Sequence, residues 1–404
     1  MTATVAARPA AAPRPIDRGA VLAALAGFLL LALALASDVS TRFVALLLLG
    51  GTFGVVLFHA AFGFTAGWRR FMVERRGAGL RAQFLAIAIA MVLFAPMLAS
   101  GEAFGRGVYG VLGPLGVSVA VGGFLFGFGM QLAGGCGSGT LFTVGGGSVR
   151  MLVTLAFFVF GSLIGSFHLP WWLELPSLGW ISLGRELGYP SAVAVQIAAL
   201  VALGAGSWWM ERRRHGSAPV FGAAVPDGAP ASLGARLLRG PWPLIWGAVA
   251  LAALNALTMI VAGHPWAITS GFMLWGAKIA SAIGVEVTAW SFWDPDGRGR
   301  MLEASVLTNS ISVMNFGVIL GALLAAGIAG RFATGARPSA RSILAAAIGG
   351  TLMGYGARLG FGCNIGAMFS GIASGSLHGW LWFAVAWIGS ALAIPLRPRF
   401  GLGN

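Results

Sequence analysis

Charge is scarce in this chain of 404 residues: Asp, Glu, Lys and Arg together make up 9% of it, against 57% apolar residues. So little polar surface cannot cover a set of soluble domains, which excludes a soluble globular protein and leaves an integral membrane protein. Lysine is almost missing. Lys278 is the only one, so the excess of 26 basic over 12 acidic side chains is carried by arginine. In so apolar a chain a net charge of +14 reads as positive-inside loops, and no nucleic-acid partner follows from it. Two cysteines, Cys136 and Cys363, are too few for a disulfide framework. Short runs of alternating apolar and polar residues are lacking, which excludes a membrane β-barrel. The sequence has no GxxxxGK[ST] phosphate loop, no histidine pair suited to haem and no metal-ligand cluster, so neither an ATPase nor a cofactor or metal site is expected. His59 reads as a satisfied helix histidine, and His168 and His264 stand isolated.

Long apolar runs are abundant. Those near 20–36, 43–66, 82–99, 109–134, 149–168, 190–210, 243–262, 303–330, 342–361 and 377–395 each approach the ~20 residues that a bilayer requires. The expected fold is an all-α polytopic membrane protein of about nine to ten transmembrane helices. Residues 1–17, rich in Ala and Pro, read as a disordered cytoplasmic tail. Ala34-Leu35-Ala36 resembles a cleavage site, so a removed signal peptide is the alternative to a first spanning helix. Arg69, Arg70, Arg75, Arg76 and Arg81 mark one cytoplasmic loop, and Arg212, Arg213 and Arg214 mark another. A basic linker at 211–242 then divides a first membrane half, 18–210, from a second, 243–396, and 397–404 forms a C-terminal tail. Trp171, Trp172 and Trp180 anchor an external interfacial segment at 168–189. The broken apolar stretch 263–293 reads as re-entrant, because turning back leaves the loop of Arg331, Arg337 and Arg341 on the inside with the other arginines.

The chain also repeats itself. Gly122–Phe142 (GGFLFGFGMQLAGGCGSGTLF) aligns without a gap on Gly349–Phe369 (GGTLMGYGARLGFGCNIGAMF), with ten of 21 positions identical. Cys136 meets Cys363 and Gln131 meets Arg358. After a one-residue insertion, Ser148 meets Ser376 and Gly161-Ser162 meets Gly389-Ser390. Counted from the cytoplasmic tail, the first copy runs inward and the second outward, which makes the repeat inverted. Such repeats place substrate sites near the bilayer midplane, where broken helices present their ends. Helix packing can account for Gly122, Gly123 and Gly127. It accounts less well for Gly134-Gly135-Cys136-Gly137-Ser138-Gly139 and Gly362-Cys363-Asn364-Ile365-Gly366, which are poor helix formers and are expected to unwind as re-entrant loops lining a wet cavity.

A lone buried cysteine is usually an apolar filler. Two thiols at equivalent positions, beside glycines that expose backbone N–H groups, suit a small polarizable anion instead. Cys136 and Cys363 are the candidate donors, with Gly135, Gly137, Gly362 and Asn364 shaping the narrow point. Arg358 has no neighbouring carboxylate in sequence, and an unpaired arginine in hydrocarbon costs roughly 2.5–3.5 kcal/mol on insertion scales. It either snorkels at a helix end or, with Gln131, attracts an anion. Lys278 shares this ambiguity.

At Gly127–Phe142 and Gly354–Gly375, above all in GARLGFGCNIG, the sequence resembles the YeeE/YedE family of prokaryotic sulfur-compound transporters. The similarity extends to GVVLFHAAFGFTAGWRR at 54–70 and HPWAITSGFMLWGAK at 264–278. The resemblance implies a multi-pass protein of the cell inner membrane with an hourglass-like inverted-repeat fold. Such a protein imports thiosulfate or a related sulfur anion, without a cofactor, often beside a TusA-like cytoplasmic sulfur carrier. Cys136 and Cys363 match two of the family's relay cysteines. A third is expected near Ala61-Phe62-Gly63-Phe64, where Gly63 stands, which puts a three-thiol pathway and the identity of the anion in doubt. Two other readings stay open: a membrane sulfurtransferase or redox protein carrying a persulfide, and a membrane scaffold for the sulfur carrier.

Overall fold

The computed structural model describes residues 15–223, 232–294, 297–332 and 337–403. Most of the expected N-terminal tail, and part of the linker, lie outside the described residues. Helix α1 (Arg18–Asp38) is started by Asp17, whose carboxylate accepts from the Ala20 N–H at 3.0 Å. It is followed by α2 (Thr41–Ala60), α3 (Phe64–Glu74) and α4 (Ala78–Ser100). A two-stranded hairpin of β1 (Glu102–Ala103) and β2 (Arg106–Gly107) leads to α5 (Val117–Ala133), α6 (Gly137–Gly145) and α7 (Val149–Leu173). Short α8 (Leu183–Leu187) precedes α9 (Tyr189–His215), and short α10 (Leu233–Arg239) follows. The chain continues through α11 (Leu244–Ala262), α12 (Thr269–Ala282), α13 (Arg300–Glu303), α14 (Ser310–Ile328), α15 (Ala340–Leu359), a π-helix (Asn364–Ser370), α16 (Gly371–Ala373) and α17 (Leu377–Ala393). Residues 394–400 continue as 3-10 helix.

Among the described residues nine helical segments are long and apolar enough to cross a membrane. Helix α15 is less apolar but lies packed between α5 and α7. The fold is all-α and polytopic, as the apolar runs predict. Topology follows from contacts between helix ends. Asp17, before α1, donates to the Gly327 carbonyl near the end of α14, so both ends share the arginine-rich face. Tyr109 donates to Gly263 after α11, and His264 lies 2.9 Å from the Ser310 hydroxyl at the start of α14, which places all three on the opposite face. The chain therefore leaves and returns on one side between Gly263 and Ser310. Helix α12, of 14 residues, is re-entrant between those points.

The inverted repeat is visible as reciprocal contacts. A methyl built on Gly122 would sit 2.7 Å from the Gly356 carbonyl oxygen, and one on Gly356 would sit 2.5 Å from the Gly122 oxygen. Gly129 and Gly349 exclude side chains from each other in the same way, at 2.7 and 2.6 Å. Helices α5 and α15 thus cross backbone to backbone and antiparallel. Their outer contacts are exchanged as images: Gly127 abuts Ala386 where Gly354 abuts Phe158, and Gly161 abuts Thr351 where Gly389 abuts Phe124. Hydroxyls follow the same rule. Ser162 donates to the Gly354 carbonyl at 3.4 Å, and its repeat mate Ser390 donates to the Gly127 carbonyl at 2.9 Å. Small residues let these helices approach closely where apolar lipid supplies no hydrophobic drive between them.

Candidate functional site

Both cysteine segments interrupt a helix at the same point of the repeat. Helix α5 closes on Gly134 in the left-handed region (φ 86), and Cys136 is extended before α6 begins at Gly137. Helix α15 closes through Phe361, also left-handed (φ 56), and Cys363 is extended before the π-helix begins at Asn364. The break is shorter than the sequence predicts. Only about three residues uncoil in each copy, because Cys136 and Cys363 act as N-caps: the Cys136 carbonyl accepts from the Thr140 hydroxyl at 2.8 Å, and the Cys363 sulfur accepts from the Ile365 N–H at 3.4 Å. Gly137 to Gly139 and Asn364 to Gly366 are helical despite their low intrinsic propensity.

The two loops enter from opposite faces. Arg150 binds the Leu132 and Ala133 carbonyls at the end of α5 and also the Ser342 hydroxyl at the start of α15, which fixes the first loop to the arginine-rich face. Ser376, after the second loop, bridges to Ser182 in the external segment. They then meet. A methyl on Gly137 would lie 3.2 Å from the Cys363 sulfur and 3.5 Å from the Ile268 side chain. Both thiols are fully buried and free of disulfides, and the Cys136 sulfur lies 3.4 Å from the Ser138 hydroxyl. Gly135 packs against its own following turn at Gly139, and Gly362, with φ 149, presses on the Gly366–Ala367 backbone. Asn364 is fully buried, with neither its amide oxygen nor its amide nitrogen hydrogen-bonded within the protein.

Polar side chains flank the meeting point as images of each other. On the outer side Arg358 donates to the Thr269 hydroxyl at 2.8 Å and touches the Met273 sulfur at 3.4 Å, while its Nε has no partner. On the inner side Gln131 donates to the Thr65 carbonyl at 3.4 Å, while its amide oxygen and the Thr65 hydroxyl have none. Helices α3 and α12 thus do for the first and second copies the same job. Among the described residues the only ion pairs are those of Arg76 and Arg81 with Glu211, so Arg358 carries its charge without a carboxylate. No group of three metal-ligating side chains is present among the described residues. Lys278 is tethered to the Leu302 and Ala304 carbonyls at 2.7 and 2.6 Å, away from this centre. Gly63 caps α3 and lines a recess of about 100 Å³ with Gly67, Arg70, Arg76 and Gln83.

Sequence reasoning passed over the residues that brace this point. Ile268 touches the crossing, and its carbonyl accepts from Asn315 at 3.0 Å. Asn255 donates to Ser370 at 3.1 Å and accepts from the Trp266 N–H at 2.7 Å, and Ser370 donates to the Trp266 carbonyl at 2.8 Å. The available signal was an asparagine inside each of two otherwise apolar helices, which demands a buried partner.

The model for sulphur transport proteins matches residues 59–392, from before α3 to the end of α17, and so includes both cysteine loops. The chain belongs to the sulphur transport family. A thiosulfate transporter, TsuA, of Spirochaeta thermophila is 28% identical over 83% of this chain and 93% of its own length. The Escherichia coli K12 TsuA is 24% identical over 83% of this chain and 89% of its own length. A probable transporter, YedE, of E. coli K12 is 34% identical, but the matched stretch is 37% of this chain and covers 36% of YedE. The family resemblance read from the GARLGFGCNIG segment is therefore correct.

Proposed function

We propose that this sulphur transport protein carries thiosulfate, or a related small sulfur-containing anion, across the cell inner membrane through the point where its two cysteine loops meet. The observation that carries this reading is the position of Gly137 against the Cys363 sulfur, because it brings the residue after one thiol into contact with the other. The names of the TsuA relatives support thiosulfate as the cargo. In this reading Arg358 draws the anion from the outer side, where burial without a carboxylate leaves its charge uncompensated. Neutral Cys136 and Cys363 thiols then offer weak S–H donors to the polarizable sulfur. The Asn364 amide serves an oxygen of the anion, Gly137 keeps the passage open by adding no side chain, and Gly135 and Gly362 let the chain turn back tightly beside each thiol. Gln131 with Thr65 receives the anion on the inner side, where the buried Arg397 guanidinium donates to the Gln131 carbonyl. With Gly63 in place of a third thiol, transfer beyond this point relies on hydroxyl, amide and arginine groups. A TusA-like carrier is the corresponding acceptor at the arginine-rich face.

Uptake of labelled thiosulfate into proteoliposomes, with sulfite, sulfide and sulfate as competitors, tests this reading. Saturable uptake that sulfur-terminated anions suppress more strongly than sulfate is expected. Binding of a sulfur carrier without any solute flux would favour the scaffold reading and overturn transport.

A further inference from the structure

A cavity of about 980 Å³ lies away from the thiols. It is a slot between α3, α4, α9 and α17 at the protein's rim. Helix α9 buries a single stripe, Ala192, Gln196, Leu200, Ser207 and Glu211, against α4. The flank of that stripe, with Leu203, Gly206 and Met210, faces Phe383, Ala384 and Trp387 of α17 across the slot. Trp380 donates to Gln196 at 2.9 Å and so bridges the two helices toward the outer side. On α17 the slot is lined from Trp380 to Ala391, 11 residues apart and about 16 Å at the α-helical rise, roughly half of the ~30 Å hydrocarbon core.

Arginines mark the other end. Arg75 lines the slot and lies 5.8 Å from the Phe71 ring, and it has no carboxylate partner among the described residues. Arg212 and Arg213 lie over Trp208 and Trp209 at 5.2 and 4.0 Å, at the depth where tryptophan sits among lipid headgroups. An apolar slot within the spanning region, open to the side and rimmed by arginine on the positive-inside face, matches one occupant. We propose that it is a specific site for an anionic phospholipid of the cytoplasmic leaflet, with an acyl chain along α9 and α17 and the phosphate on Arg75.

The site reaches the transport region through aromatic contacts. Phe383 and Trp387 wall the slot and also touch the Trp68 ring, at 5.4 and 5.2 Å. The Trp68 indole donates to Gln83 at 2.9 Å, and Gln83 lines the recess at Gly63. A seated chain therefore braces the aromatic wall behind α3.

The test is native mass spectrometry of the full chain, delipidated and then titrated with phosphatidylglycerol or with phosphatidylcholine of the same acyl chains. One phosphatidylglycerol should be retained about fivefold more tightly, the contribution expected of one arginine near the headgroup. Arg75→Gln should erase the preference. Leu203→Trp and Ala384→Trp, each filling the slot from a different helix, should lose the retained lipid while keeping a cooperative melt. Equal retention of both lipids, unchanged retention in both filled variants, or dimers that form through this face in place of lipid binding would overturn the proposal. None of these readouts depends on transport, so the lipid site stands or falls apart from the substrate reading.

Discussion

At the scale of single residues the site is defined by what glycine and cysteine permit. Gly137 is helical, so Gly137→Ala should raise helix propensity and leave the melting temperature within a few degrees of the parent. Its methyl would stand 3.2 Å from the Cys363 sulfur, and thiosulfate uptake should fall severalfold or more. A large loss of thermal stability with unaltered flux per folded molecule would contradict this assignment. Arg358→Gln should weaken half-saturation from the outer side more than it lowers the maximal rate, because the charge acts on the arriving anion; a pure loss of maximal rate would argue for a structural role. The cysteines and their glycines were legible in sequence because the repeat marks them twice. Ile268, Asn255 and Asn315 occur once, carry no spacing signal, and reach the crossing only through tertiary contacts.

At the scale of elements the crossing of α5 with α15 sets everything else. Each close glycine contact has an image, so damage should be symmetric. Gly127→Leu and Gly354→Leu each force a side chain into a facing backbone, at Ala386 and Phe158 respectively. Both should lower stability by at least the ~1–3 kcal/mol typical of overpacking, read as matching drops in the midpoint of thermal unfolding in detergent. One tolerated and one ruinous substitution would break the symmetry argument. The length of the apolar runs made the spanning helices legible, since bilayer thickness and composition fix them. It could not show that the residues after each cysteine coil again, nor that the second copy does so as a π-helix, because those outcomes depend on caps and packing supplied by distant segments.

At the scale of the whole molecule, two loops that enter from opposite faces require the two halves to be oppositely oriented. The parent's thiols are both buried, so single-cysteine reporters have little background. Leu178→Cys, on the external segment, should react with a membrane-impermeant maleimide added outside, and Ser217→Cys, after the arginines of α9, should react only from the cytoplasmic side. Labelling of both from one side would invalidate the topology. The arginine distribution makes this arrangement readable in the sequence, whereas the loose seating of α9 is not, because its composition resembles that of the packed helices. In the proposed route both thiols serve a single passage. Initial rates of labelled thiosulfate uptake into proteoliposomes by Cys136→Ala, Cys363→Ala and the double variant decide whether they do. Each single change should reduce the rate about tenfold, as for a lost hydrogen bond of ~1 kcal/mol or slightly more, and the double variant should fall by less than the product of the two. Parental rates in all three variants would contradict the claim.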